Sequence, residues 1–294
     1  MKENDLSAYG SKYYKNVSAK EICSFKGGGI VKRLFVPVNA DELIRTINTL
    51  NEREEDYVVI GNASDVLILD GGTDNAICTR GLKNVVAEGN SITAAAGVSL
   101  AKLARIAYEN SLAGFERLAG IPGSVGGAVV TNAGAFGAEI SDCIEEITVF
   151  DGKDITVVKK EDAGFSYRHS NIGNGRNVVL SVKFILPEGR KADLKNLAAK
   201  YAEIRRNTQP DKPSAGSVFK RANGVGAGYY IDSLGLKGTR VGGAEISRKH
   251  AGFIVNAGDA KSSDFTALAA AIEEKVKCAY GITLEREVIY IGKE

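Results

Sequence analysis

Apolar positions along the chain repeat with two periods, and their alternation sketches the elements. Arg33-Leu-Phe-Val-Pro-Val38, Tyr57-Val-Val-Ile60 and Val66-Leu-Ile-Leu69 are short apolar runs of the kind that fill buried strands. Between the first two, Leu43, Ile44, Ile47 and Leu50 share one face at helical spacing, and Asp41 stands where a cap belongs. Val85-Val-Ala and Ile92-Thr-Ala around Gly89-Asn90 predict a hairpin, and a second is predicted from Glu146 to Val158, turning at Asp151-Gly152. Ser99 caps a predicted helix through Leu100, Leu103 and Ala107, and a turn over 171–175 leads into a strand from Val178 to Leu186. Pro187 and Gly189 mark a boundary. Beyond it, Leu194, Leu197, Ala198, Tyr201 and Ile204 line a helix that Pro210 and Pro213 stop. Ser262 and Ser263 are placed to cap a helix bearing Phe265, Leu268, Ala269, Ile272 and Val276, and strands are predicted at 252–256 and 287–291. The first twenty residues are polar and lack a period, with Tyr9, Tyr13 and Tyr14 set to pin a short helix to the body. A strand-rich middle with separate helices gives an α+β class.

Composition removes several alternatives. A chain of 294 residues has room for two domains or three small ones. With 44% hydrophobic and 25% charged residues it reads as an ordinary globular protein, and a net charge of +2 gives no global pull toward nucleic acid or membrane. Cys23, Cys78, Cys143 and Cys278 include no C-x-x-C pair, so buried, reduced thiols in a cytoplasmic protein are expected rather than a zinc site or disulfides. His169 and His250 are too few for a multi-histidine metal centre, and no signal peptide is expected in a polar N-terminus.

Two stretches invite a ligand. From Gly120 to Gly137 glycine supplies six of eighteen residues, and no charge falls between Arg117 and Glu139. Bare backbone of this kind can approach a large ligand and turn its amides toward an anion. Pro122, Asn132 and the glycines make a poor helix, which argues against a membrane span. Taken alone, the stretch also fits a surface loop. Gly61-Asn-Ala-Ser-Asp65, between two apolar runs, is a second candidate phosphate loop that alone reads slightly better as a plain β-turn. Neither a Rossmann G-x-G-x-x-G nor a Walker A sequence is present. Arg168, Ser217 and Glu287 stand beside predicted strands or turns, and each singly fits a solvated or turn position. G-x-S-x-G is absent and no histidine completes a hydrolase triad.

The order of motifs adds what single motifs lack. Phe25-Lys-Gly-Gly, Gly61-Asn-Ala-Ser-Asp65, Gly120-Ile-Pro-Gly-Ser-Val-Gly-Gly127, Asn132-Ala-Gly134, Tyr167-Arg168, Gln209-Pro210, Ser214-Ala-Gly-Ser-Val-Phe-Lys220, Gly235-Leu-Lys-Gly238, Gly242-Gly-Ala-Glu245, Lys249-His-Ala-Gly-Phe253 and Leu284-Glu-Arg-Glu287 follow one another over nearly the whole chain. The series resembles the UDP-N-acetylenolpyruvoylglucosamine reductases (MurB), in the shorter form without an insertion near the substrate site. That resemblance implies a vanillyl-alcohol-oxidase/PCMH-type FAD-binding domain of two lobes, 1–79 (with 282–294 returning to it) and 80–189, plus a C-terminal α+β substrate domain over 190–281. It implies NADPH-driven, FAD-dependent reduction of UDP-N-acetylglucosamine enolpyruvate to UDP-N-acetylmuramate, a cytoplasmic step of peptidoglycan precursor synthesis. Hydride would come from flavin N5 and a proton from Ser217, while Arg168 and Glu287 stabilise the enolate. FAD would lie among Gly61, Asn62, Ala63, Ser64, Asp65, Val66, Gly120, Ile121, Pro122, Gly123, Ser124, Gly126, Gly127, Asn132, Ala133, Gly134 and Ala135. Tyr167, Lys220, Lys237 and His250 would meet the UDP-sugar. The partners expected are small molecules, with no metal, nucleic acid, membrane or obligatory protein partner. Gly28, His169, Arg221 and Ala222 depart from the family's usual residues and bear on fine substrate contacts. The alternatives are a same-fold FAD oxidoreductase with another substrate, and a sugar-nucleotide binder that has lost flavin.

Overall fold

The computed structural model describes residues 3–4, 9–175 and 177–294. Its first sheet runs β1 (Glu3–Asn4), β2 (Tyr13–Ser18), β3 (Ile30–Phe35), β6 (Thr73–Cys78), β4 (Val58–Ile60), with β3, β6 and β4 mutually parallel. Between β2 and β3 lies the short helix α1 (Ala19–Ile22). The tyrosines expected to pin a helix instead join a strand or pack on one. Tyr13 and Tyr14 belong to β2, and buried Tyr9 packs on Phe35 at 5.1 Å between ring centroids. Aromatic side chains suit a half-buried pleated surface, and the paired strands β2 and β3 supply one. Part of that segment, residues 1–2 and 5–8, lies outside the described residues.

Helix α2 (Ala40–Glu52) buries Leu43, Ile47 and Leu50, as its period foretold, and Thr46 with them, while Ile44 of the expected face is only partly buried. Its cap is Asn39 rather than Asp41. Asn39 holds extended backbone and its side chain accepts from the Glu42 amide at 2.9 Å, while Asp41 sits in the first turn, where a carboxylate still favours the helix dipole. Strand β5 (Val66–Ile68) leaves the first sheet and pairs in parallel with the last strand of the chain.

A second sheet is wholly antiparallel and contains both predicted hairpins: β7 (Val85–Glu88) with β8 (Ser91–Ala95), and β11 (Ile144–Phe150) with β12 (Ile155–Lys159). β13 (Val178–Ile185) joins them in the order β12-β11-β13-β8-β7. Helix α3 (Leu100–Glu109) is capped by Ser99, whose hydroxyl accepts from Lys102 N at 3.2 Å. The glycine-rich stretch forms more helix than its composition suggests. α4 (Val125–Val130) is a short helix capped by Ser124, with Val125, Ala128 and Val129 buried in the core of this sheet. Packing outweighs propensity here, because a Cβ on Gly126 would stand 2.9 Å from that of Ala96. A two-strand ribbon, β9 (Gly134–Ala135) and β10 (Ala138–Glu139), follows it.

The third unit begins with α5 (Lys191–Thr208), of which Leu194 and Ala198 are buried whereas Leu197, expected inside, is 37% exposed. Its sheet runs β14 (Ser214–Ser217), β17 (Phe253–Asn256), β16 (Ala244–Ile246), β15 (Arg240–Val241), and carries α6 (Ala227–Ser233), which the sequence reading did not foresee. Helix α7 (Ser262–Tyr280) contains Ser262 and Ser263 in its first turn rather than at its cap. Their amides donate to the carboxylate of Asp70 at 2.9 and 3.1 Å, so the helix start is satisfied from beyond β5. Strand β18 (Ile289–Ile291) then pairs Ile289, Tyr290 and Ile291 with Val66, Leu67 and Ile68. Cys23, Cys78 and Cys143 are buried, but Cys278 is exposed on α7, against the expectation of four buried thiols. No described helix is long and apolar enough to cross a membrane.

Candidate active site

A cleft of about 1080 Å³ runs between the three sheets. One wall is the loop from β4 to β5, the residues Gly61, Asn62, Ala63, Ser64, Asp65 and Val66. Another is Ile121, Pro122, Gly123, Ser124, Gly126 and Gly127, ending in α4. The two candidate phosphate loops are in contact. Asn62 Nδ2 donates to Pro122 O at 3.1 Å, and a Cβ on Gly61 would fall 2.1 Å from Ser124 Oγ. Arg80 Nη2 ties the carbonyls of Asn62 and Ile22 together, each at 2.6 Å. Among the described residues, the amides of Asn62, Ala63 and Ser64 donate to nothing within the chain. Three unpaired amides in one turn, facing a long cleft that a methyl group would narrow, fit a dinucleotide with a pyrophosphate.

Ala133, Gly134 and Ala135 line the same cleft. Asn132 does not. It is fully buried behind the wall, donates to Glu139 Oε2 at 2.7 Å and Ser166 O at 3.0 Å, and so braces the ribbon rather than facing a ligand. Gly120 lies outside as well, in a shallow recess with Gln209 and Asp211.

Arg168, Ser217 and Glu287 all line the cleft, although 119 residues separate the first from the last. Arg168 follows the hairpin β11–β12 with φ at +54°, a strained left-handed conformation for arginine. That turn aims Nε at Glu287 Oε1 (2.6 Å) and Nη2 at Gly134 O (3.0 Å), and the guanidinium lies 5.0 Å from the Tyr167 ring centre. Glu287 is set by its amide on Val218 O at 2.8 Å, which ties the start of β18 to the end of β14. Burial pushes the Glu287 carboxyl above the usual carboxylate range, against the pull of Arg168, and neighbouring Asp65 adds to the rise. Ser217 ends β14 after Gly216, which has φ at +78°.

Of the residues expected to meet a sugar nucleotide, Lys220 lines the cleft and pairs with Glu285 at 2.6 Å. Tyr167 is half exposed and its hydroxyl accepts from Arg221 N at 3.2 Å. Lys237 and His250 are not among the lining residues. Lys237 pairs with Asp232 at 2.6 Å, and His250 Nδ1 accepts from Gly252 N at 3.1 Å, its proton affinity lowered first by burial.

Two residues of the cleft escaped the sequence reading. Arg205 of α5 faces both cleft and recess, and among the described residues its guanidinium has no hydrogen bond or ion pair. Burial, with Arg168 nearby, lowers its proton affinity, which marks a positive charge held without a counterion. Phe136, at the ribbon tip, lines the cleft and packs on Tyr201 with ring centres 4.8 Å apart. The helical phase of Tyr201 and Arg205, one turn apart, was the available signal.

Residues 31–159 match the model of an FAD binding domain, and residues 209–291 match that of the UDP-N-acetylenolpyruvoylglucosamine reductase C-terminal domain. UDP-N-acetylenolpyruvoylglucosamine reductase from one Streptococcus pneumoniae strain is 44% identical over 273 residues, covering 91% of this chain and 90% of that protein. The chain belongs to the UDP-N-acetylenolpyruvoylglucosamine reductase family. The same enzyme from a second S. pneumoniae strain is 44% identical, with 91% of this chain and 86% of the relative covered. The crystal structure of the Thermus caldophilus reductase superposes with a TM-score of 0.81 at 33% identity, over 95% of this chain and 98% of that one. As a member of this family the chain is an FAD-dependent oxidoreductase with a UDP-sugar substrate.

Proposed function

We propose that the protein reduces UDP-N-acetylglucosamine enolpyruvate to UDP-N-acetylmuramate with NADPH as the electron source, in the cytoplasm, for peptidoglycan precursors. The reading rests on one observation above all: Arg168 and Glu287, 2.6 Å apart, share with Ser217 a cleft whose other walls are the two glycine loops. Bound FAD supplies the hydride. The loops over 61–66 and 121–127, with Ala133 to Ala135, hold the cofactor through bare backbone. We also read the chain as two FAD-binding lobes, 1–79 with 282–294 and 80–189, and a substrate domain over 190–281, because each range centres on its own sheet.

The residues divide the remaining work by charge. Hydride addition to the enolpyruvyl double bond leaves negative charge beside the substrate carboxylate. Arg168 meets that charge with a planar guanidinium whose place the Gly134 carbonyl and the Tyr167 ring already fix. Glu287 donates a hydrogen bond to the enol oxygen when it carries a proton, and its buried position favours that form. Ser217 delivers the proton to the enolate carbon. Arg205 supplies a second cation for the anionic substrate, and Lys220 sits at the same end. Tyr167, Lys237 and His250 are assigned to the sugar nucleotide by resemblance, the last two at a distance from the cleft wall.

The deciding experiment is anaerobic. NADPH added to the flavin-loaded protein is expected to bleach the flavin, and the enolpyruvyl sugar to restore its colour stoichiometrically with product. A bleached flavin that the sugar fails to reoxidise would remove this substrate while leaving an FAD oxidoreductase. A second expectation concerns the cradle. Gly61→Ala drives its methyl group into Ser124 Oγ, the cap of α4, and pushes the two loops apart. A cost of about 1–3 kcal/mol is expected, weakening FAD binding about ten- to hundredfold. Fluorescence titration of flavin-stripped protein measures it, and wild-type affinity would show that the loops do not form the cofactor seat.

A further inference from the structure

Asp65 is the one carboxyl of the 61–66 loop, and the roles above leave it unused. It lines the cleft at the same end as Glu287. Their backbones are locked together, because Ile289 N donates to Asp65 O at 2.9 Å where β18 meets β5. Among the described residues, the Asp65 carboxyl makes no hydrogen bond or ion pair with another residue. Burial raises its proton affinity, and its charge is felt at Glu287.

The charges at this end of the cleft can be counted. Arg168 faces Glu287, Arg205 stands free beside Arg168, and Lys220 is neutralised by Glu285. Two guanidinium groups therefore face two carboxyls and one incoming substrate carboxylate. Charge balances if the two carboxyls together keep a single proton. Before substrate arrives, Glu287 is ion-paired with Arg168, so that proton rests on Asp65. When the substrate carboxylate takes the guanidinium, Glu287 loses its counterion and becomes the more basic of the two.

We propose that Asp65 is a positioning residue that lends Glu287 its proton: the pair enters the reaction already carrying it, and it passes from Asp65 to Glu287 as the substrate carboxylate docks on Arg168. The inference rests on Glu287 acting as a neutral donor, as argued above. Its consequence is that the cleft takes no proton from water when an anionic ligand binds.

Calorimetric binding of UDP-N-acetylmuramate, in buffers of differing ionisation enthalpy, counts the protons exchanged. Wild-type protein is expected to take up almost none at about pH 7, because the pair already carries the shared proton. Uptake near one at neutral pH overturns the proposal without any variant. Asp65→Asn with flavin retained, checked by its visible spectrum, is expected to take up about one proton already at pH 7, because Glu287 must then draw it from solvent. Adding Glu287→Gln to Asp65→Asn is expected to abolish that uptake. If uptake persists, Glu287 is not the acceptor and its donor role falls. If Asp65→Asn instead matches wild type, only the sharing with Asp65 falls. Turnover of the enolpyruvyl sugar on the same samples separates either result from failure of the proposed reaction.

Discussion

Ser217→Ala is expected to leave NADPH-driven flavin reduction within about twofold of wild type and to slow reoxidation by the enolpyruvyl sugar about 10²–10⁴-fold, the range of a positioned general acid. The asymmetry follows from where the residue sits. Ser217 ends β14, opposite Phe253 of β17, and the next residue, Val218, accepts the Glu287 amide. Its hydroxyl makes no hydrogen bond to another described residue, so its proton is free for the ligand. Removing one oxygen from a strand end leaves that backbone frame in place and adds no bulk to the cleft. A serine is a weak acid, and transfer succeeds only because the enolate carbon is strongly basic and held beside it. Stopped-flow traces of flavin absorbance separate the two halves of the cycle. Equal loss in both would mean that alanine disturbs the cofactor seat, and the proton-donor role would have to be given up. Solvent-deuterium incorporation into residual product adds a second readout, since water replacing the serine removes facial selectivity.

The parts of this architecture that were legible in the sequence are those encoded locally. Helix α2 was readable because Leu43, Ile47 and Leu50 recur at its own period, and the β7–β8 hairpin because Gly89-Asn90 punctuates two apolar runs. The errors arise where a distant element decides. Asn39 and Asp41 are both competent caps, and only the extended backbone at Asn39 chooses between them. The start of α7 is satisfied by Asp70, 192 residues earlier, which no local pattern can announce. Helix α4 forms because Gly126 lets its backbone lie against Ala96, a contact between segments that read as unrelated. The candidate site was legible in motif order through resemblance, not in any single residue. Asn132 illustrates the limit: its place in Asn132-Ala-Gly134 marks a loop that lines the cleft, yet the side chain turns inward to hold Glu139 and Ser166. Arg205 and Asp65 show the converse. Each looks ordinary in sequence, and each becomes notable only when the fold leaves it charged or titratable, without a partner, at the same end of one cleft.

Arg168→Lys should cost about 10²–10³ in the rate of flavin reoxidation, the effect of losing one preorganised donor to a developing anion, although the formal charge is kept. The guanidinium does three things at once. Nε holds Glu287, Nη2 holds Gly134 O on the ribbon, and the plane rests against Tyr167. An ammonium is a compact charge on a flexible stem and can satisfy one of these partners at a time. Two results follow. Substrate binding, which depends on net positive charge and is helped by Arg205, should weaken far less than the rate falls, so kcat drops more than KM rises. Glu287 loses its 2.6 Å partner, burial then acts on it with less opposition, and its proton affinity rises further. At sugar concentrations well below saturation, where the pH profile reports the free enzyme, the alkaline limb of the reoxidation rate should accordingly move to higher pH in the lysine variant. A fall in rate with an unmoved limb would mean that Glu287 does not sense Arg168, and a rise in KM matching the fall in rate would reduce Arg168 to a binding group. Either outcome would detach the arginine from the stabilisation of charge on which the proposed chemistry depends.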